Sequence, residues 1–504
     1  MAVKKRIWWW SGFALFVIVA FFFYFHLRKA EKTEYTTYPD YPEPLGLKVE
    51  LKGNAYNILL ITVDTLRPDY LSANGYDLNT SPSIDQLISR GLYFSRAVTP
   101  IPRTTQALAS LLTGCYPHKT EVRNLWDRLA RKTITLAEIL KKVNYQTIAV
   151  VSNHILIPER RLDRGFDVYD FGTDKRDAIK TTAAAIGHLK ELNHEDPFFL
   201  WVHYIDPHAP YYPPENLAEE FDPNYHGRYK THFGAEPGGI GENAYPKDLG
   251  KERAVFNNDL PEEVNVHIRR LYAADIKLTD MGIELLMQAV RRQAGDNLLI
   301  LFTADHGESM GEHDYYFDHG AYVYNAGLRV PLVFQLPENH SKYFTGTIND
   351  WVSIIDVLPT ALDLLGIEVQ SDHLGDIDGR SLISYWEGSS QESRPLLAES
   401  GKAFFPDSMR KRARFDISGR FRCVIHGRWK LIWTPFQSQD LLYELYEIAF
   451  DPDEIKDLYN PSHSKFPMLD KLLKEWISEE GQMVKETKPS KKDLETLRSL
   501  GYIK

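Results

Sequence analysis

Residues 57–64 read NILLITVD, and residues 298–306 read LLILFTADH. Each is a short, unbroken apolar run that stops at an aspartate. Such runs mark strands buried on both faces, as in a parallel sheet covered by helices. The same pattern predicts strands at 147–151 and 198–205. Helical patterns lie between them. One begins at Thr135, with Glu138 three residues on as a capping box, and stops at Asn144, a residue tolerant of the left-handed conformation. Another spans about 262–292. Strands alternating with helices imply an α/β fold built on a largely parallel sheet.

Ligands of open parallel sheets bind beyond the carboxyl ends of the strands, so the residues that follow each run matter. They are Asp64; Ser152, Asn153 and His154; Asp206 and His208; and Asp305 and His306. Two carboxylates and an imidazole at Asp64, Asp305 and His306 suit one divalent metal ion. The nitrogen favours Mn or Zn over Mg or Ca. Such an ion lowers the pKa of a nearby hydroxyl, and residues 103–114 (RTTQALASLLTG) offer several. His208 follows a strand in a proline-rich turn and reads as functional. His203, inside its strand, reads as a packed residue behind the site.

The 504 residues carry a net charge of −10, two cysteines and seventeen histidines. Two cysteines cannot build a disulfide scaffold or a Cys₄ zinc module. A 43% hydrophobic composition is that of a globular chain. The acidic balance excludes broad nucleic-acid binding, which needs clustered Lys and Arg. Residues 7–27 lack Asp, Glu, Lys and Arg, and basic residues flank them. At about 1.5 Å per residue they match the hydrocarbon thickness of a bilayer. The expectation is a transmembrane signal anchor over 1–27, a linker over 28–53, a catalytic domain over 54–392, and a C-terminal subdomain with a helical tail over 393–504. The protein is thereby expected at the cell membrane, single-pass, with its catalytic domain extracytoplasmic. Residues 209–261 read as a long loop over the site.

The segments 57–76 (NILLITVDTLRPDYLSANGY), 109–117 (ASLLTGCYP), 135–145 (TLAEILKKVNY), 164–167 (RGFD), 198–211 (FFLWVHYIDPHAPY), 303–308 (TADHGE) and 328–333 (LRVPLV) resemble, in order, the sulfatase family of the alkaline-phosphatase superfamily. Residues 429–432 (WKLI) and 445–458 resemble its C-terminal part. The resemblance covers about 55–460. It implies a large mixed, mostly parallel sheet between helices, with a small C-terminal antiparallel sheet. It also implies that Asp64, Asp305 and His306 are metal ligands. Counting ten residues back from Gly114, it makes Thr104 both the nucleophile and a metal contact.

Several positions depart from sulfatases that convert the Cys or Ser of a C/S-x-P-x-R motif to formylglycine. Thr104, Gln106 and Leu108 stand at the three defining places. Cys115 begins a C-x-P-x-K string, but after the LTG motif, and reads as an ordinary small residue. His319 stands where a lysine is usual. This pattern is similar to the threonine-nucleophile branch of phosphodiesterases and phosphoglycerol or phosphoethanolamine transferases. The expected activity is metal-dependent cleavage of phosphate or sulfate esters, of a lipid or glycan, through a covalent Thr104 intermediate. His208 and His319 would stabilise charge or protonate the leaving group. The alternatives are a sulfatase acting on sulfated glycans, a transferase of the kind just named, and an inactive binding module.

Overall fold

The computed structural model describes residues 47–172, 176–237, 239, 241–256, 258–337, 345–370, 377–389, 392–401, 419–434, 442–483 and 489–499. In chain order the strands are β1 (Lys48–Leu51), β2 (Asn57–Val63), β3 (Leu92–Val98), β4 (Gln146–Val151), β5 (Val168–Asp170), β6 (Phe198–Tyr204), β7 (Leu298–Ala304) and β8 (Ser309–Met310). They continue with β9 (Tyr316–Asp318), β10 (Arg329–Gln335), β11 (Gly346–Ser353), β12 (Ile367–Gln370), β13 (Leu396–Glu399), β14 (Arg422–His426), β15 (Trp429–Trp433) and β16 (Tyr443–Tyr446).

Eight strands form the main sheet in the order β11-β3-β10-β7-β2-β6-β4-β5. β5, β4, β6, β2 and β7 are mutually parallel, and β10 alone runs against its neighbours. The strands that the apolar runs predict are its centre: every residue of β6 and β7 is buried. Val63 pairs with Tyr204 on one side and Ala304 on the other, and Val151 pairs with His203. The four central strands therefore end level. The residues that follow them emerge along one edge.

The helix Leu136–Lys142 starts with the expected capping box, Thr135 and Glu138 each bonding the other's backbone. It is followed by Asn144 at φ 64°. The expected helix near 262–292 is Glu262–Ala294. The 209–261 segment is less loop-like than expected, since it contains the helices Glu215–Phe221 and Gly250–Val255.

β13–β16 form a four-stranded antiparallel sheet. One face, with Cys423, Ile425 and Ile432, packs on Val98, Val323 and Leu328 of the main body. The other, with Val424, Leu431 and Leu445, packs on Leu469, Leu473 and Trp476 of the helix Phe466–Met483. This alternation is the strand period of two. One buried ion pair pins the sheet to the body, and a second, inside the subdomain, ties β15 to the segment that follows β16. Arg123 donates through two nitrogens to the Glu399 carboxylate, and Lys430 pairs with Glu454 at 2.6 Å.

The membrane expectation is corrected. The anchor, 7–27, and most of the linker lie outside the described residues. No helix among the described residues is long and apolar enough to cross a membrane. The 33-residue helix Glu262–Ala294 has the length, but it carries Arg269, Arg270, Asp275, Lys277 and Asp280 and buries one face in the protein core. The transmembrane element and the single-pass, extracytoplasmic placement are therefore withdrawn.

Glu399 is 1% exposed. Burial raises its pKa, but Arg123 beside it outweighs burial and holds the carboxyl down to about 2. This stabilisation is complete above the unfolded value near 4.3 and is lost as pH falls toward 2. Denaturant titrations should show that loss across this window. Glu399→Gln strands the Arg123 charge and should cost about 3–5 kcal/mol at neutral pH. A cost under about 1 kcal/mol would contradict the pinning role.

Candidate active site

Asp64 follows β2 and Asp305 follows β7, both with no exposed surface. Their backbones continue the ladder: Asp64 N–H donates to Tyr204 O at 2.8 Å, and Asp305 N–H to Val63 O at 3.3 Å. Thr65 sits between them at φ 55°. A β-branched residue there stores roughly 1–3 kcal/mol of strain. It is held by its own N–H on Asp305 Oδ1 (3.1 Å) and by Tyr272 Oη donating to its carbonyl (2.8 Å).

Thr104 is the first residue of the helix Thr104–Thr113, all ten residues of which are buried. Its hydroxyl lies 3.4 Å from Asp64 Oδ2 and 3.4 Å from His306 Nε2. A helix N-terminus favours negative charge at this position. Asn153, which follows β4, donates to Asp64 Oδ2 at 2.6 Å.

His306 Nδ1 lies 2.8 Å from Gly307 O. A carbonyl only accepts, so Nδ1 carries the proton and Nε2 of the neutral ring is a bare lone pair. Burial, then the neighbouring His319, drives the His306 pKa well down and keeps the ring neutral. That lone pair faces Asp305 Oδ2 at 3.5 Å and Asp64 Oδ1 at 3.7 Å. Acceptor atoms from three buried groups thus converge.

His203 is packed inside β6 as expected, and it also faces Asp64. Its Nδ1 lies 2.9 Å from Thr62 Oγ1, which also accepts from Trp201 Nε1. Its Nε2 points at Asp64 Oδ2, 3.6 Å away. Asp64 Oδ1, Asp305 Oδ2 and His203 Nε2 are buried without hydrogen-bond partners. One ligand atom from each of Asp64, His203 and Asp305 lies within 4.8 Å of the others. Orphaned acceptors this close are costly alone and suit a cation. Electrostatics agree. Burial and the charge of Asp64 push Asp305 well above the carboxylate range. Burial raises Asp64 too, but His208, His203 and His306 outweigh it and bring it down.

His319 lies beside His306, and His208 beside His319. The His319 ring centroid is 4.3 Å from that of His306 and 5.0 Å from that of His208. His208 Nδ1 contacts Ala209 O at 2.5 Å. His319 Nδ1 lies 3.0 Å from Glu308 Oε1. Sequence reasoning quoted Glu308 only within a motif; a buried glutamate two residues after His306 was the available signal. Burial lifts Glu308 to about 8 and holds His319 down to about 3. All six residues expected at the site, Asp64, Thr104, His208, Asp305, His306 and His319, fall in one cluster.

Cys115 is not part of it. It lies beyond the far end of the ten-residue helix Thr104–Thr113, about 15 Å from Thr104 by helical rise. Its thiol contacts Thr113 O at 3.4 Å, and burial pushes its pKa up to about 12. That is the environment of an inert thiol.

The sulfatase family model matches residues 56–367, more than half of the chain. The model for the C-terminal part of N-sulphoglucosamine sulphohydrolase matches residues 311–482. The chain is 24% identical over 449 residues to the uncharacterized sulfatase YidJ of Escherichia coli (strain K12), covering 80% of this chain and 82% of that one. It is 24% identical over 522 residues to iduronate 2-sulfatase of Homo sapiens, covering 81% and 92%. Among solved structures it is similar to the phosphonate monoester hydrolase of Agrobacterium radiobacter, with TM-score 0.67 and 20% identity over 85% of this chain and 96% of that one. It is also similar to BT4656 in complex with its substrate D-glucosamine-2-N,6-O-disulfate, with TM-score 0.66 and 19% identity over 87% and 99%. The resemblance carried by the sequence motifs therefore holds: the chain belongs to the sulfatase family and is an ester hydrolase.

Proposed function

We propose that the chain hydrolyses oxyacid esters, sulfate esters of saccharides foremost, by direct attack of Thr104. The observation that carries this reading is the Thr104 hydroxyl at a helix N-terminus, 3.4 Å from both Asp64 and His306. The sulfatase relatives support sulfate as the transferred group, and BT4656, with its disulfated glucosamine substrate, supports a saccharide as its bearer.

A divalent cation would be held by Asp64, Asp305 and His306, with Thr104 and His203 in reach, and would supply the charge that acidifies a hydroxyl and neutralises an oxyanion. The donors fit, because the orphaned atoms among them, Asp64 Oδ1, Asp305 Oδ2 and His203 Nε2, are two carboxylate oxygens and an imidazole nitrogen, and His306 Nε2 adds a second nitrogen beside them, a mixture that favours Mn or Zn. Thr104 Oγ, giving its proton to the Asp64 Oδ2 it faces, attacks the sulfur or phosphorus in line, and the alcohol oxygen departs with the electron pair of the broken S–O or P–O bond. His208 and His319 flank the departing oxygen and supply hydrogen bonds or its proton. Water then cleaves the sulfo- or phospho-threonine and restores the hydroxyl. Asn153 holds Asp64 in place throughout.

A second reading, phosphate or phosphonate esters, is favoured by Thr104 itself. A threonine ester must be cleaved by water at the central atom, the step that the threonine-nucleophile branch performs at phosphorus. Hydrolysis of p-nitrophenyl sulfate against p-nitrophenyl phosphate and phenylphosphonate decides between them; turnover of the phosphorus esters alone would reject sulfate.

Thr104→Ala should lower kcat on the order of 10⁴-fold, as loss of a nucleophile does, while Thr104→Ser keeps measurable turnover. Cys115→Ala should stay within about twofold of wild type. Wild-type rates in Thr104→Ala, or inactivation in Cys115→Ala, would reject the nucleophile.

Protein stripped with a chelator should gain stability on adding Mn or Zn, by about 2.7 kcal/mol at a hundredfold excess over Kd. Asp305→Asn should abolish the gain. The raised Asp305 carboxyl holds a proton that the cation must displace, so affinity should fall as pH falls. Affinity that is flat from pH 5 to 8 would contradict this.

A further inference from the structure

Arg103 immediately precedes Thr104. Its backbone is extended, φ −150° and ψ 130°. The side chain runs between two glycines. A Cβ added at Gly320 would stand 1.9 Å from Arg103 Nε, and one at Gly401 2.8 Å from it. Both positions need glycine for the arginine to pass. Gly320 follows His319, so the guanidinium lies against the turn that carries the proposed leaving-group histidine.

Among the described residues Arg103 has neither a hydrogen bond nor an ion pair through its side chain. That is unusual for an enclosed arginine in this chain. Arg67 pairs with Asp69 and Glu312, Arg123 with Glu399, Arg164 with Glu138 and Arg394 with Asp356. Asp318, a carboxylate that feels the Arg103 charge, is already taken: Lys251 Nζ lies 2.7 Å from Oδ2, and His319 N–H donates to Oδ1 at 2.9 Å. Five donors in a planar fork are therefore held in a built slot at the edge of the site. The side chain is half-buried, so a ligand can reach it.

We propose that Arg103 binds a second anionic group, carried by the alcohol portion of the ester, and so selects polyanionic substrates. This rests on the Thr104 reading above. The transferred group would lie at the Thr104 hydroxyl, whereas Arg103 lies against Gly320, next to His319, the proposed leaving-group residue. A guanidinium pairs bidentately with a carboxylate, a sulfate or a phosphate, and any of the three meets the chemistry.

The experiment compares kcat/KM for the 2-sulfate of a methyl glucoside with the 2-sulfates of methyl glucuronoside, methyl glucoside 6-sulfate and methyl glucoside 6-phosphate. Wild type should favour at least one anionic member by about tenfold or more, as a charge-assisted hydrogen-bond pair does. Arg103→Gln should erase that preference, and Arg103→Lys should keep part of it. Equal losses on neutral and anionic members in Arg103→Gln, or no anionic preference in wild type, overturn the inference. A wild-type protein that hydrolyses none of these esters, nor p-nitrophenyl sulfate or phosphate, overturns the proposed function and the inference with it.

Discussion

Two buried carboxylates on neighbouring parallel strands set the terms for everything around them. Asp64 and Asp305 have no exposed surface, and the free oxygen of each lacks a hydrogen-bond donor. Like charges this close cannot both persist in a low-dielectric interior without compensation. The surrounding residues supply part of it. Thr65 and His306 backbone N–H groups bind one oxygen of Asp305, and Asn153 binds one oxygen of Asp64. What remains is a pair of bare oxygens with the His203 and His306 nitrogens near them, an arrangement that suits a cation.

That convergence depends on sheet register. Val63 stands level with Ala304 and Tyr204, and Val151 with His203. A one-residue slip in any of these strands would move its ligand to the opposite face. The remote subdomain contributes as well. Glu454 accepts from the backbone N–H of Asn325 at 2.6 Å, and Lys430 bonds the Asn325 side chain at 3.1 Å. This anchors the start of the short helix Asn325–Leu328, six residues after His319. The small antiparallel sheet thus steadies the loop that carries a site histidine.

Much of this was legible in the sequence because it rests on local signals. NILLITV and LLILFTA are long enough and apolar enough to be central strands, and the acidic residues behind them announce their own edge. The Thr135–Glu138 capping box and the left-handed Asn144 are equally local. β3 and β11 are not legible, because their polar interruptions, Ser95-Arg96 and Asn349-Asp350, resemble loops, and β10 because Pro331 breaks its apolar run; only pairing makes them strands. The orientation of the His203 ring is not legible for a related reason. Its position inside a strand says it is buried, but its outward nitrogen depends on Thr62 and Trp201 holding the ring. Glu308 and Arg103 depend on partners and on glycine neighbours far along the chain. The apolar run at 7–27 led to a membrane placement that no described helix supports.

The chemistry as a whole turns on whether Thr104 becomes covalently modified. Acid-quenched enzyme, caught during turnover of a slow ester and digested, can be sequenced by mass spectrometry. A sulfo or phospho group on Thr104, formed and lost at the rate of turnover and missing in Thr104→Ser, where serine carries it instead, is the expected result. Steady turnover with an unmodified Thr104, or a modified Cys115, would contradict it.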